Sequence, residues 1–216
     1  MAQGTARHST SQSGSCFTGR FQKKTLKNEM DKAVVKNTNN LPVRLLFQDE
    51  ARFGRMSDPR RCWAPVPFRP KVNSALVREY NYVFGAVCPA NGVFHHMRAL
   101  DMKTPNMSLF LKQISKVHRM HFVLMVVDGA SSHKSKDLII PSNVAVILLP
   151  PYSPELNPTE RIWNKLRRDY IANRYFNNLD EAMEAVDRGL SDLKRNRSKM
   201  KTLTLWPWIK EVLNAN

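Results

Sequence analysis

The chain has 216 residues, of which 42% are hydrophobic, and this is enough for one globular domain with a sizeable core. Its 34 Lys and Arg residues outnumber its 18 Asp and Glu residues, so the formal net charge is +16 and a polyanionic partner is expected. The longest dense apolar run, residues 122–127, is far shorter than the ~20 residues of a membrane span. No signal peptide opens the chain, so we expect a soluble intracellular protein that does not act at a membrane. Three widely spaced cysteines favour neither a disulfide framework nor a zinc site.

The N-terminal region predicts a polar tail followed by a helix. Residues 1–19 are rich in Ser, Thr, Gly and Gln and have no apolar periodicity, which is typical of a flexible tail. Residues 21–35 place Leu26, Met30 and Val34 at helical spacing, and the polar residues that follow end this pattern. We therefore treat residues 1–40 as a tail and a lead-in helix ahead of the folded domain.

Three segments in the next part of the chain predict strands. The apolar run 41–47 ends just before Asp49 and indicates a buried strand that delivers carboxylates at its C-terminal end. Residues 61–66 are a second candidate, and residues 79–87 pair with 93–97 across a Pro-Ala-Asn-Gly turn. Together these segments predict an antiparallel meander.

The remaining elements alternate between helices and buried strands. Residues 106–118 and 159–172 carry helical apolar stripes, and residues 179–193 form another predicted helix. Two apolar strands, 121–127 and 144–149, read as central strands of a sheet. This order predicts an α/β domain over residues 41–193, with a mixed sheet flanked by helices. The basic, Trp-rich residues 194–216 are predicted to form a C-terminal tail that packs back on the domain or binds another chain.

Three carboxylates form the candidate catalytic site. Asp49 and Asp128 each follow an apolar strand, and parallel neighbouring strands lie about 4.8 Å apart, so both side chains could share one cation. Glu160, in the first turn of the following helix, could add a third oxygen ligand. Such oxygen clusters suit Mg²⁺ or Mn²⁺, and pairs of these ions roughly 3.5 to 4 Å apart catalyse phosphodiester chemistry.

Several neighbouring residues admit a purely structural interpretation. Glu160 and Asn157 occupy positions where they could form a capping box with no metal between them. Glu50 points to the opposite face from Asp49 if the strand continues, so we expect a salt-bridge partner and not a ligand. Trp163 lies on the apolar face of its helix, which favours a core residue that holds the Glu160 helix in place.

Basic residues supply candidate contacts to a nucleic-acid backbone. Four arginines follow the first catalytic strand and could line a phosphate-binding groove, although solvated loop charges are the alternative. Five positive charges crowd residues 194–201 and repel one another without a partner. His133 could contact a phosphate or tune the site, or act as an ordinary hydrogen-bonding residue. The candidates are Arg52, Arg55, Arg60, Arg61, His133, Lys194, Arg195, Arg197, Lys199 and Lys201.

Three blocks of the sequence resemble a known family. The segments FQDEARFGR (47–55), VVDGASSHKS (126–135) and LLPPYSPELNPTERIWNKLR (148–167) resemble the catalytic blocks of mariner superfamily transposases, in their bacterial insertion-sequence branch. The third block, with its SPELNPTE core, is the most specific of the three. The similarity runs from about residue 41 to 193.

The resemblance implies an RNase H-like catalytic core with Asp49, Asp128 and Glu160 as its Asp-Asp-Glu triad and two Mg²⁺ or Mn²⁺ ions per active site. Such enzymes cut the transposon end with water and join the freed 3′-hydroxyl to target DNA. The implied partners are double-stranded DNA, as transposon ends and target, and a second copy of the chain. The implied location is the bacterial cytoplasm, in association with the nucleoid. A catalytically idle DNA-binding relic and a stand-alone nuclease of the same fold are the alternatives.

The sequence departs from the family pattern in three ways. The stretch between Asp128 and Glu160 is a few residues shorter than usual, and Gly129 stands where family members often have Asn. The largely polar residues 1–40 leave no room for the helix-turn-helix modules that recognise transposon ends. We therefore expect a chain without its own end-recognition modules, as in a split reading frame, a truncated relic or a fragment.

Overall fold

A computed structural model of the chain describes residues 13–150 and 153–214, with side chains for 24–150, 153 and 155–213. A five-stranded sheet lies between two layers of helices. The strands are β1 (Val43–Gly54), β2 (Tyr80–Cys88), β3 (Val93–Ala99), β4 (Phe122–Val127) and β5 (Val144–Leu148). The helices are α1 (Ser13–Val34), α2 (Thr104–Val117), α3 (Ser131–Lys134), α4 (Thr159–Leu166), α5 (Leu179–Arg195), α6 (Arg197–Thr204) and α7 (Pro207–Asn214). A 3₁₀ turn, Pro154–Leu156, precedes α4, and a π-helical turn, Arg167–Ile171, follows it.

The strand order is β3-β2-β1-β4-β5. The first three strands form an antiparallel meander, whereas β4 pairs parallel with both β1 and β5. Phe47 of β1 pairs with Val126 of β4, so the segments that lead to Asp49 and Asp128 are parallel neighbours. The mixed sheet with flanking helices confirms the predicted fold class.

Alternation along β1 distributes its side chains between two apolar layers. Leu45, Phe47 and Phe53 pack on one face with the C-terminal helices, and Leu46 packs on the other face with α2. All six residues of β4 are buried because both faces of this strand are covered, which explains its unbroken apolar sequence.

Two strand predictions need correction. β1 does not stop before Asp49 but continues to Gly54, because residues 47–54 remain paired with β2 after the pairing with β4 has ended. Residues 61–66 form a loop and no strand. Prolines at positions 59, 65, 67 and 70 remove backbone donors throughout this segment, which disfavours a sheet ladder.

Both ends of the described chain are helical. Residues 13–19, predicted as part of a flexible tail, belong to α1, whose Leu26, Met30 and Ala33 pack on the sheet; the rest of the predicted tail, residues 1–12, lies outside the described residues. At the other end, α7 packs back on the domain, and Trp208 meets Phe47 edge-on at 5.9 Å between ring centroids. Across the described residues, none of the helices has the length and apolar character needed to cross a membrane.

Candidate active site

Asp49 lies in the middle of β1 with its carboxylate turned towards α4. The side chain is 8% exposed, and its Oδ2 atom accepts a hydrogen bond from Trp163 Nε1 at 2.9 Å. The backbone partner of Asp49 on β2 is Gly85, and a Cβ atom there would overlap the Trp163 ring. The glycine therefore leaves the space through which the indole reaches the carboxylate. The prediction that Trp163 is a core residue is confirmed, but its polar contact with Asp49 was missed.

Two hydrogen bonds attach the beginning of α4 to β1. Asn157 Nδ2 donates to the Gln48 carbonyl at 2.9 Å, and Thr159 Oγ1 donates to the Phe47 carbonyl at 3.0 Å. These bonds bring Glu160 to the Asp49 segment. Asn157 Oδ1 accepts from the Thr159 amide, and the exposed Glu160 carboxylate has no hydrogen-bond donor among the described residues. The described residues therefore do not form a capping box in which the Glu160 side chain bonds to Asn157.

Asp128 directly follows β4 and is held by the turn after it. Its Oδ1 atom accepts from the Ala130 amide at 3.0 Å and lies 2.9 Å from His133 Nδ1. The other ring nitrogen of His133, Nε2, lies 2.9 Å from Glu50 Oε1. Glu50 is thus the salt-bridge partner that its position on the strand predicted.

The charges of these residues shift one another's pKa values. Burial, followed by the nearby charges of Glu160, Glu50 and Asp128, raises the pKa of Asp49 to about 8. The hydrogen bond from His133 lowers the pKa of Asp128. Burial opposes protonation of His133, but its bonds to Asp128 and Glu50 outweigh this effect and raise its pKa to about 10. Burial and the neighbouring negative charges therefore disfavour ionisation of Asp49, while the contact with His133 favours ionisation of Asp128.

The donor set fits a hard divalent cation. Asp49, Asp128 and Glu160 offer carboxylate oxygens from three different elements, and no sulfur ligand is among them. Mutual repulsion between carboxylates is relieved when a cation binds between them. Among the described residues, the group whose ligand atoms all lie within 4.8 Å of one another is Glu50, Asp128 and His133, which includes neither Asp49 nor Glu160.

Part of the predicted arginine set lines a basic cleft beside this site. The cleft has a volume of about 720 Å³ and contains Arg52 and Arg60 together with two arginines that the sequence analysis did not select, Arg78 and Arg167. Arg167 lies over the Phe53 ring, 5.2 Å from its centroid, and burial lowers its pKa while the charge of Glu160 opposes that shift. A basic residue seven positions after Glu160, two helical turns on, is the sequence signal that would have identified it.

The other predicted contacts lie elsewhere. Arg55 is paired with Glu79 at 2.9 Å, and Arg61 is exposed outside the cleft. Both ring nitrogens of His133 are bonded within the protein and its side chain is fully buried, so it faces no open groove. Three members of the C-terminal basic cluster line a separate cleft of about 690 Å³ that contains none of the three carboxylates; the exposed cluster comprises Lys194, Arg195, Arg197, Lys199 and Lys201.

A further cleft, of about 1030 Å³, opens on the Asp128 side of the sheet between α1 and β5. Its basic residues are Lys32, Lys36 and Lys134. A Cβ atom at Gly129 would lie 3.2 Å from Lys134 Nζ, so a larger residue at this position would displace that ammonium group. Gly129 thus leaves room for the Lys134 ammonium group, whose charge acts on Asp128.

A known protein family and a known protein resemble this chain in sequence. The family described as DDE superfamily endonuclease matches residues 44–182. An uncharacterized protein, y4pE/y4sA, of Sinorhizobium fredii (strain NBRC 101917 / NGR234) is 30% identical over 128 residues, which cover 59% of this chain and 95% of that protein.

Solved structures share the fold. The Mos1 mariner paired-end complex with Mn aligns with a TM-score of 0.53 at 16% identity, over 99% of this chain and 66% of the Mos1 chain. The Mos1 paired-end complex with the left transposon end aligns with a TM-score of 0.50 at 14% identity, over 94% of this chain. This chain thus spans 66% of the length of the Mos1 chain. The RNase H-like fold predicted from the mariner resemblance is confirmed by the Mos1 structures, and the chain belongs to the DDE superfamily of endonucleases.

Proposed function

We propose that this chain is the catalytic part of a DNA transposase that cuts transposon-end DNA and joins the freed 3′-hydroxyl to target DNA. The observation that carries the proposal is that Asp128 and Glu160 lie close to the buried Asp49, whose pKa is raised by burial first and then by the charges of these neighbours. Among family members, the SPELNPTE segment carries the third carboxylate, and here its Asn and Thr side chains attach α4 to β1. This attachment explains why that segment and the Asp49 strand form one site.

Mg²⁺ or Mn²⁺, with two ions per active site, would be held by the three triad carboxylates. Bound ions of this kind activate an attacking oxygen and stabilise the leaving oxygen in phosphodiester cleavage and transfer. The role of the chain is to position the ligands. Trp163 and His133 hold the two aspartates, and the bonds from Asn157 and Thr159 to β1 position the helix that carries Glu160.

The DNA backbone would lie along the cleft that contains Arg52, Arg60, Arg78 and Arg167. Arginine binds phosphate oxygens in bidentate fashion, and phosphate contacts orient a duplex without reading its sequence. Burial and, to a smaller extent, the charge of Arg60 lower the pKa of Arg167, and an anionic ligand in the cleft would oppose this effect. Arg167 of this cleft interacts electrostatically with Glu160 and Asp49, so a strand bound there would lie next to the carboxylates.

The proposal includes a pair of chains, since joining two transposon ends in one reaction requires two active sites. The Mos1 structures with which this chain shares its fold are paired-end complexes. In a bacterial cell the chain would act in the cytoplasm, on nucleoid DNA.

The test is cleavage and joining of DNA by the full chain with Mg²⁺ or Mn²⁺. Supercoiled plasmid reports nicking, and a labelled oligonucleotide with a free 3′-hydroxyl reports transfer into the plasmid. We expect Asp49→Asn, Asp128→Asn and Glu160→Gln each to abolish both activities. Glu155→Gln, which changes an exposed carboxylate one turn before Glu160, should leave both intact.

Each alternative has its own outcome in this experiment. Nicking without joining by the natural chain identifies a stand-alone nuclease. DNA binding without either activity identifies a catalytically idle relic. Activity that survives in all three triad variants shows that the assigned triad is wrong.

A further inference from the structure

One oxygen of each catalytic aspartate is held by a side chain from another element. Trp163 Nε1 donates to Asp49 Oδ2 at 2.9 Å, and His133 Nδ1 lies 2.9 Å from Asp128 Oδ1. The second oxygens, Asp49 Oδ1 and Asp128 Oδ2, have no hydrogen-bond donor among the described residues. Each carboxylate therefore has one atom bound within the protein and one atom left for a ligand.

The histidine that holds Asp128 is itself fixed at both ends. His133 Nε2 lies 2.9 Å from Glu50 Oε1, and the side chains of His133 and Glu50 are 0% and 5% exposed. The ring cannot turn without breaking a contact to one of two carboxylates. Binding a metal through Nδ1 would break the contact with Asp128, and binding it through Nε2 would break the contact with Glu50.

β1 carries one residue of the Asp49–Trp163 contact and one of the Glu50–His133 contact. Asp49 and Glu50 are adjacent, so their side chains leave opposite faces of the strand. Asp49 meets Trp163 on the face covered by α4, and Glu50 meets His133 of α3 on the other face. A single strand therefore supplies one triad carboxylate directly and controls the orientation of the other through a histidine.

We propose that Trp163 and the Glu50–His133 pair are positioning residues, which turn Asp49 Oδ1 and Asp128 Oδ2 towards the bound cations. This inference rests on the proposed metal-dependent function. Donors that orient ligating side chains typically contribute 10–100-fold to metal affinity or activity, because a ligand already held in place loses less freedom when the ion binds.

Amide side chains can separate the two contacts of His133. Asn places an N–H group close to the position of Nδ1 and retains the donor to Asp128, whereas Gln places it close to Nε2 and retains only the contact to Glu50. Trp163→Phe removes the indole N–H and keeps a buried aromatic ring. His118→Gln is the structural control, because His118 is 3% exposed and bonds to Arg44 at the other end of β1.

The measurement is Mn²⁺ binding to the full chain by calorimetry, together with the Mn²⁺ concentration that gives half-maximal plasmid nicking. We expect His133→Gln and Trp163→Phe to raise the Mn²⁺ dissociation constant and the nicking midpoint about 10–100-fold. His133→Asn should remain within about threefold of the natural chain, and His118→Gln should lower thermal stability without changing either metal parameter.

The outcomes separate this inference from the proposed function. If the natural chain binds Mn²⁺ and all variants bind it equally well, the positioning role is wrong while the metal site stands. If His133→Asn and His133→Gln both lose one ion from the stoichiometry, His133 is a ligand and the positioning role is again overturned. If the natural chain binds no Mn²⁺, the metal-dependent function fails, and the inference that rests on it fails with it.

Discussion

The indole of Trp163 is hydrogen-bonded to Asp49, with 2.9 Å between Nε1 and Oδ2. The ring is 1% exposed and also packs edge-on against Phe53 and Phe94. One residue thus belongs to the core and to the active site. Changes that shift this ring for reasons of packing should therefore also change the chemistry at Asp49.

Gly85→Ala tests that connection. A methyl group at this position would overlap the Trp163 ring, and overpacking of this kind typically costs 1–3 kcal/mol of stability. Because the displaced indole can no longer hold Asp49, we also expect a higher Mn²⁺ midpoint for nicking. Urea unfolding measures the first effect and a metal titration the second. Ala86→Gly is the neighbouring control: it should lower stability while the midpoint stays unchanged, and an unchanged midpoint in Gly85→Ala would show that Trp163 does not control Asp49.

Asp49→Asn should stabilise the metal-free chain as the pH rises. The folded pKa of Asp49, about 8, lies above its ordinary value of 3.8. Folding therefore favours the protonated form, and this contribution to stability is present below pH 3.8 and is lost as the pH rises towards 8. Asn stays neutral and avoids the loss.

We expect the variant's advantage in unfolding free energy, measured with EDTA present, to grow by about 2–4 kcal/mol between pH 5 and pH 8. The exposed residue Asp137 supplies the matched control, since Asp137→Asn should show no such growth. A constant difference between Asp49→Asn and the natural chain across this range would contradict the raised pKa of Asp49.

The arginine cleft predicts the salt dependence of DNA binding. Each phosphate contact contributes about 0.9 to the slope of log affinity against log salt concentration. Single substitutions to Gln at Arg52, Arg60, Arg78 and Arg167 should therefore each reduce the slope by about that amount, as measured by fluorescence anisotropy with duplex DNA. Arg197→Gln and Lys199→Gln test the C-terminal cluster in the same way. If only Arg197→Gln and Lys199→Gln reduce the slope, the DNA backbone lies along the cleft of the C-terminal cluster and not along the arginine cleft.

A histidine network should make the fold sensitive to acid. Arg44 Nη1 donates to His118 Nδ1 at 3.0 Å, so neutral His118 carries its proton on Nε2 and donates it to His95 Nε2 at 2.9 Å. Burial lowers the pKa values of His95 and His118 to about 4, with Arg44 opposing protonation of both rings.

The lowered pKa values mean that the folded state favours the neutral rings. Their contribution to stability is complete above pH 6.5, the ordinary histidine value, and is lost as the pH falls towards 4. We expect a loss on the order of 2–4 kcal/mol over this range, measured by urea unfolding in the Asp49→Asn background, which removes the opposing effect of Asp49. His118→Gln should show a smaller loss, and an equal loss would mean that other groups are responsible.

The sequence alone determined the elements whose patterns are local. The unbroken apolar run of β4 placed Asp128 at the end of a central strand, and the Asn-Pro-Thr-Glu segment placed Glu160 at the beginning of a helix. The pairing of Glu50 on the face opposite Asp49 was predicted correctly because side chains alternate along a strand, whatever the partner. The end of β1 was predicted wrongly, since its extension past Asp49 depends on pairing with β2, a strand far away in the sequence.

Only the tertiary structure decided which groups meet. Trp163 and Asp49 are 114 residues apart, and His133 and Glu50 are 83 apart. An apolar stripe indicates that the helix face with Trp163 is buried, but it does not indicate which polar atom accepts a hydrogen bond from the indole N–H. Likewise, the charge of Arg78 has no special pattern along the chain, and it shares a cleft with Arg167 only when the segment before β2 and the turn after α4 fold against β1. Local periodicity reflects burial, whereas hydrogen bonds and charge pairs depend on distances that only the assembled sheet and helices set.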